Sequence, residues 1–154
     1  MSKQDYRLQE FKQGKLCDTI IYLYLNCIKY EDFMGTLKNP DKMPLHILYG
    51  AGTDYKNMKR VSDSNSIYWI NCHFPNITTK RAIEVIGIDK VHLTADTLNI
   101  CLTHQYVNKS KEWIKGKFLT AFFWRVSGNA TWKYVFSEEK KNWICVSKNI
   151  VEYK

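Results

Sequence analysis

The chain has 154 residues, of which 45% are apolar and 25% charged; that length and balance fit one globular domain with a single core and exclude a disordered or disulfide-stapled chain. A formal net charge of +8 with pI ≈ 9.2 favours an anionic partner such as a nucleotide, a nucleic acid or a membrane surface. No apolar run approaches the ~20 residues of a membrane span, and the N-terminus is polar without the apolar core of a secretory signal, so the expected setting is the cytoplasm with no membrane partner.

Residues 1–16 are polar and read as an N-terminal arm, and residues 17–154 read as a single domain. Thr19 to Leu25 is β-branched and aromatic, which predicts a strand. Tyr30, Phe33, Met34 and Leu37 recur at helical spacing behind Glu31 and Asp32, predicting a helix over 27–38 that Asn39-Pro40 ends. Leu45, Ile47, Leu48 and Tyr49 form a short buried strand over 44–49 that carries His46 and is released by Gly50-Ala51-Gly52. Residues 54–66 are polar, with Ser62-Asp63-Ser64-Asn65 as a loop, and 67–73 read as a strand stopped by Pro75. Residues 82–93 and 98–105 form a hairpin about Thr94 to Thr97. Ile83, Val85, Val91 and Leu93 share one parity there, with Gly87 as a bulge.

Residues 108–115 read as one or two helical turns that carry Trp113 inward and stop at Gly116. Strands follow at 118–126, 130–136 and 143–147, with Ser127-Gly128-Asn129 and 137–142 as turns and 148–153 as an extension. The sum is an α+β fold, a largely antiparallel sheet of seven to eight strands with two helices.

The cysteines, at 17, 27, 72, 101 and 145, are odd in number, lack a Cys-x-x-Cys and mostly sit in apolar runs, as free thiols of a reducing compartment do. His46, His73, His92 and His104 fall on separate predicted strands with no His-Glu-x-x-His or paired Cys, so neither a metal nor a cofactor is expected. Walker, dinucleotide and nucleophile-elbow patterns are absent. One His-x-Thr occurs, at His92-Leu93-Thr94 beside a turn. Such a pair faces one side of a strand, where imidazole moves a proton and hydroxyl holds a phosphate oxygen.

Taken in order, strand, helix, Pro-containing loop, strand 44–49 with its Ile47-Leu48-Tyr49 ending, hairpin, short helix and strand 118–126 resemble the LigT-like 2H phosphoesterases. In that bilobal family two His-x-Thr/Ser motifs face each other across a cleft, and phage-encoded members cleave cyclic-nucleotide immune signals. The matching triplets are Pro44-Leu45-His46 and Phe118-Leu119-Thr120, 74 positions apart. Pro44 and Phe118 stand where the family has histidines, so the resemblance implies a scaffold that binds without hydrolysis. A viral or phage protein that sequesters a nucleotide or short oligonucleotide of host immunity would fit, and the Lys, Asn, Ile and Tyr bias is that of AT-rich genomes. Its ligand contacts would be His46, Tyr49, Lys117, Thr120, Phe122, Trp124 and Arg125, and Thr120, Phe122 and Trp124 share one strand parity.

Three other readings stand beside this one. An active phosphodiesterase would use His46 as base and Thr120 to hold phosphate, or His92 and Thr94. A sequence-tolerant binder of RNA or single-stranded DNA would use Lys-rich strands bearing Tyr and Trp. A module that docks on a host protein would use a Trp/Tyr patch as its hot spot. From Asn108 onward ten Lys/Arg face four Glu, which suits any anionic ligand.

Overall fold

The computed structural model describes residues 17–30, 33, 45–50, 53–62, 67–72, 82–89, 92–94 and 96–153, the side chains at 109–112, 114 and 118–123 excepted. The predicted arm over 1–16 and most of the predicted helix over 27–38 lie outside these residues. Among the described residues two α-helices of more than one turn, α1 (Asp18–Ile28) and α2 (Tyr55–Val61), accompany one seven-stranded sheet. Its strands are β1 (Leu45–Tyr49), β2 (Ile67–Asn71), β3 (Ile83–Ile88), β4 (His92–Leu93), β5 (Thr97–Ile114), β6 (Lys117–Ser137) and β7 (Asn142–Glu152). The order across the sheet is β2-β1-β3-β5-β6-β7, with β4 also on β5. β1 runs parallel to both β2 and β3, and every other pairing is antiparallel. The fold is thus α+β with a largely antiparallel open sheet, as the sequence predicts.

The predicted strand over 19–25 is instead α1. Its buried residues are Ile20, Ile21, Tyr24, Leu25, Cys27 and Ile28, while Tyr22 and Asn26 face out. That spacing makes one helical stripe. Burying the stripe against the sheet outweighs the modest β-preference of Ile and Tyr. The polar stretch 54–66 contains α2, which seats Met58 in the core and leaves Lys56, Lys59 and Arg60 in solvent. Asp54, in the left-handed region at φ 48°, begins it and accepts a 3.0 Å hydrogen bond from Asn57 Nδ2.

The sheet has two differently covered faces. On one, α1 and Phe33 lie over Leu45, Ile47, Ile86, Ile88, Leu98, Ile100, Leu102, Trp132 and Trp143, forming the main core. Trp132 meets the edges of Phe33 and Tyr30 at 5.9 and 6.2 Å between ring centroids. The other face holds a smaller cluster of Leu48, Ile70, Val85 and Val107.

The predicted hairpin forms, but its phase is not uniform. Leu93 pairs with Leu98 on the main core face. Val85 belongs to the smaller cluster on the opposite face. β3 and β4 are separate strands, so the alternation restarts between them. Gly87 is no bulge: it pairs regularly with Thr103, and a Cβ there would stand 2.4 Å from Thr103 Oγ1 and 2.5 Å from Gln105 Nε2.

Ser127-Gly128-Asn129 is no turn, because β6 runs through it. His104 pairs with Gly128 and Gln105 with Val126, leaving Ser127 as the extra residue of a bulge. Gly128 is needed for close approach, since a Cβ would meet the Val151 carbonyl of β7 at 2.8 Å. Of the five unpaired thiols only Cys27 is fully buried, and Cys145 is exposed on β7.

Candidate nucleic-acid interface

β5 and β6 are 18 and 21 residues long, against the five or six usual for a strand. Their neighbours stop early. Pairing with β3 ends at Val107, and pairing with β7 ends at Gly128. Beyond those points, among the described residues, 108–114 and 117–123 pair only with each other. At ~3.4 Å per residue the seven residues 108–114 make a two-stranded ribbon roughly 24 Å long.

The predicted helical turns over 108–115 are therefore the outgoing strand of this ribbon. Trp113, expected inward, is 69% exposed. The strands are joined by Lys115 and Gly116 at φ 49° and 76°. Positive φ at both positions of a two-residue loop matches the right-handed twist of the strands it joins. Glycine takes that conformation without strain, and open space surrounds it here.

Cross-strand register sorts the ribbon into two faces. Val107, Lys109, Lys111 and Trp113 stand opposite Trp124, Phe122, Thr120 and Phe118. The other face has Tyr106, Asn108, Ser110, Glu112 and Ile114 opposite Arg125, Phe123, Ala121, Leu119 and Lys117. Over residues 106–126 the basic residues are 109, 111, 115, 117 and 125, with Glu112 the single acid. The ribbon and its root together thus hold +4, half of the net charge of +8.

At the root, where the bulge falls, lies a polar cluster. His104 is 2% exposed and its Nε2 is 3.0 Å from Glu84 Oε2. In the Nε2–H tautomer the ring donates this bond and the carboxylate oxygen accepts it. His104 Nδ1 is buried and has no hydrogen-bond partner among the described residues. The Ser127 hydroxyl donates to the His104 carbonyl at 3.3 Å. Tyr106 lies 5.1 Å from the imidazole, and the Arg125 guanidinium sits 5.0 Å over the Tyr106 ring. Burial and the nearby Glu84 carboxylate push the Tyr106 hydroxyl above its ordinary pKa, and Arg125 opposes them.

The sequence-predicted contacts divide over this framework. His46 is on β1, on the smaller-cluster face, with its ring 5.5 Å from Tyr68. By register the positions of Thr120, Phe122 and Trp124 share that face. β3 and β5 nevertheless stand between β1 and β6, so three strand spacings, roughly 14 Å, separate the two strands. Thr120 lies six residues further out than Val126, adding roughly 20 Å along the ribbon. His46 and Thr120 are not brought together as an acid–base pair.

Trp124 is 39% exposed, and the side chains of Thr120 and Phe122 lie outside the described residues. Lys117, exposed beside the turn, and Arg125 belong to the opposite face of the ribbon. Tyr49 faces the main-core side, stacked on Tyr55 at 4.0 Å with rings 4° apart and meeting Trp69 at 6.2 Å. Burial raises the Tyr49 hydroxyl, with the Tyr55 charge second. His92 is exposed on β4, and Thr94 Oγ1 is spent on the turn, where the Thr97 amide donates to it at 3.2 Å.

Among the described residues no three His, Cys, Asp or Glu side chains converge as metal ligands, and no helix is long and apolar enough to cross a membrane. Sequence reasoning missed His104, Glu84, Tyr106 and the exposure of Trp113. The signal for the ribbon was present in the Lys115-Gly116 pair between two apolar and polar stretches of similar length. No family model, curated protein or solved structure matches the chain.

Proposed function

We propose that this protein binds nucleic acid along the ribbon face that holds Lys109, Lys111, Trp113 and Trp124. The observation that carries the reading is the ribbon itself: a basic, two-stranded projection with two exposed indoles on one face. Lysines neutralise phosphates and release counterions, while indoles offer ring faces on which bases stack whatever their identity. Such a surface tolerates many sequences and runs no reaction. Capture of a single nucleotide between β1 and β6 has less in its favour, because two strands intervene between His46 and Trp124. A reducing cytoplasmic setting suits the five unpaired thiols.

The test is fluorescence anisotropy with labelled mixed-sequence RNA and DNA from 50 to 200 mM salt. Binding weakens with salt by a slope of about 0.7 per neutralised phosphate on a single strand. Replacing Lys109 and Lys111 together by Ala lowers that slope by about 1.4 if each meets one phosphate. Absence of binding at 50 mM salt would sink the proposal.

A further inference from the structure

We infer that the ligand of this ribbon is a single strand of about four nucleotides or more, lying lengthwise with one base on Trp124 and another on Trp113, and not a duplex. The inference rests on the nucleic-acid reading above.

It starts from the spacing of the two indoles. Trp124 pairs with Val107 at the root and Trp113 with Phe118 at the tip. Six residue steps separate those rows, roughly 20 Å at ~3.4 Å per step. Both indoles are exposed and on the same face by register. That face repeats every second residue, about every 7 Å. Stacked bases repeat at ~3.4 Å per strand, so a strand opened to admit one ring between neighbouring bases repeats at about the same 7 Å. Three such intervals cover the distance between the indoles and join about four bases. The match is between the period of a β-strand face and the period of an unstacked polynucleotide.

The exposed rings favour the single strand over the duplex. A two-stranded ribbon fits the major groove, where Arg or Lys reads guanine, Asn or Gln reads adenine, and Thr or Phe meets the thymine methyl. Positions 107, 109, 111, 113, 118, 120, 122 and 124 include Trp, Phe, Lys, Thr and Val but no Arg, Asn or Gln. Asn108 and Arg125 fall on the other face. Aromatic residues need open base faces, which a duplex hides inside its stack.

The experiment measures intrinsic tryptophan quenching by oligothymidylates of two to eight nucleotides and by a 12-base-pair duplex at one fixed low salt. Trp132 and Trp143 are buried and Trp69 is half-buried on β2, so the share of quenching lost in Trp113→Ala and Trp124→Ala is the share that reports on the ribbon. Affinity is expected to climb steeply up to about four nucleotides and flatten beyond. The duplex is expected to bind at least about tenfold more weakly than the hexamer. Trp113→Ala and Trp124→Ala are each expected to weaken the hexamer about tenfold by label anisotropy, with circular dichroism unchanged. Duplex binding equal to or tighter than the hexamer, or a hexamer indifferent to either substitution, overturns this inference and leaves the broader reading standing. Failure of every oligonucleotide and the duplex to bind overturns both.

Discussion

Trp132 and Trp113 belong to the same strand pair, β6 and β5, yet Trp132 is 3% exposed and Trp113 69%. The difference lies in what flanks them. Trp132 pairs with Ile100 in the middle of the sheet, has β7 alongside, and is met by Phe33 and Tyr30. Trp113 pairs with Phe118 beside the turn, past the last residue of β3 that pairs with β5. No third strand flanks the sheet past Val107, so Trp113 stays exposed.

The largest test of that contrast is truncation at both sites. Trp132→Ala should cost about 3–5 kcal/mol in urea unfolding, as buried aromatic deletions do. Trp113→Ala should cost under about 1 kcal/mol, as exposed positions do. Equal costs would show the ribbon to be packed like the body.

A pH series sharpens the contrast from the buried side. Burial pushes the Cys27 thiol from 9.0 up to about 11, with a partly offsetting hydrogen bond to Tyr134. The unfolded thiol ionises first, so above pH 9 the unfolded chain binds fewer protons than the folded one. Stability is then whole below about pH 9 and declines toward pH 11, by roughly 2–3 kcal/mol at 1.36 kcal/mol per pKa unit. Tyr24, raised above its ordinary value chiefly by burial, extends the decline at higher pH. Denaturation midpoints between pH 7 and 11 check this, and Cys27→Ala should flatten the lower part of the curve. An unchanged slope in that variant would remove Cys27 as the cause.

Gly116→Ala acts on the ribbon alone. An Ala at φ +76° costs about 1–2 kcal/mol. Amide exchange should therefore accelerate across 108–124 while the amides of β3 and the inner half of β5 keep their protection. Acceleration throughout the sheet would mean that ribbon and body open as one unit. The smallest effect is expected at Arg60, whose ion pair with Asp18 joins α2 to α1 at 2.8 Å with both side chains about 60% exposed. Arg60→Ala should change stability by less than about 1 kcal/mol, and a larger thermal shift would count against that estimate.

Much of the sheet was legible because alternation and turn residues agree there. β1, β2, β7 and the hairpin onto β5 follow from β-branched and aromatic runs between Pro, Gly and polar breaks. α1 was misread because Ile20 to Leu25 is a continuous apolar run, and such a run does not separate a buried strand from a buried helix. α2 commits only Met58 to the core, too little apolar pattern to stand out from a loop. The ribbon was cut at Gly116 and again at Gly128, since both glycines were taken to end elements. Gly116 turns a hairpin, and Gly128 lets β7 approach. Of the expected site, the shared parity of 120, 122 and 124 was visible, whereas the distance from β1 to β6 depends on strand order, which local pattern does not encode.

The strand order also has a temporal consequence. β5, β6 and β7 are joined by short turns and zip up from local contacts, which form quickly. β1 and β3 pair in parallel through Ile47 and Ile86, and closing that long loop precedes any reward. During synthesis β1, β2 and β3 leave the ribosome before the strand that completes β3 exists. Until β5 arrives the parallel half shows an open apolar edge, so this half of the nascent chain is the one a chaperone would meet.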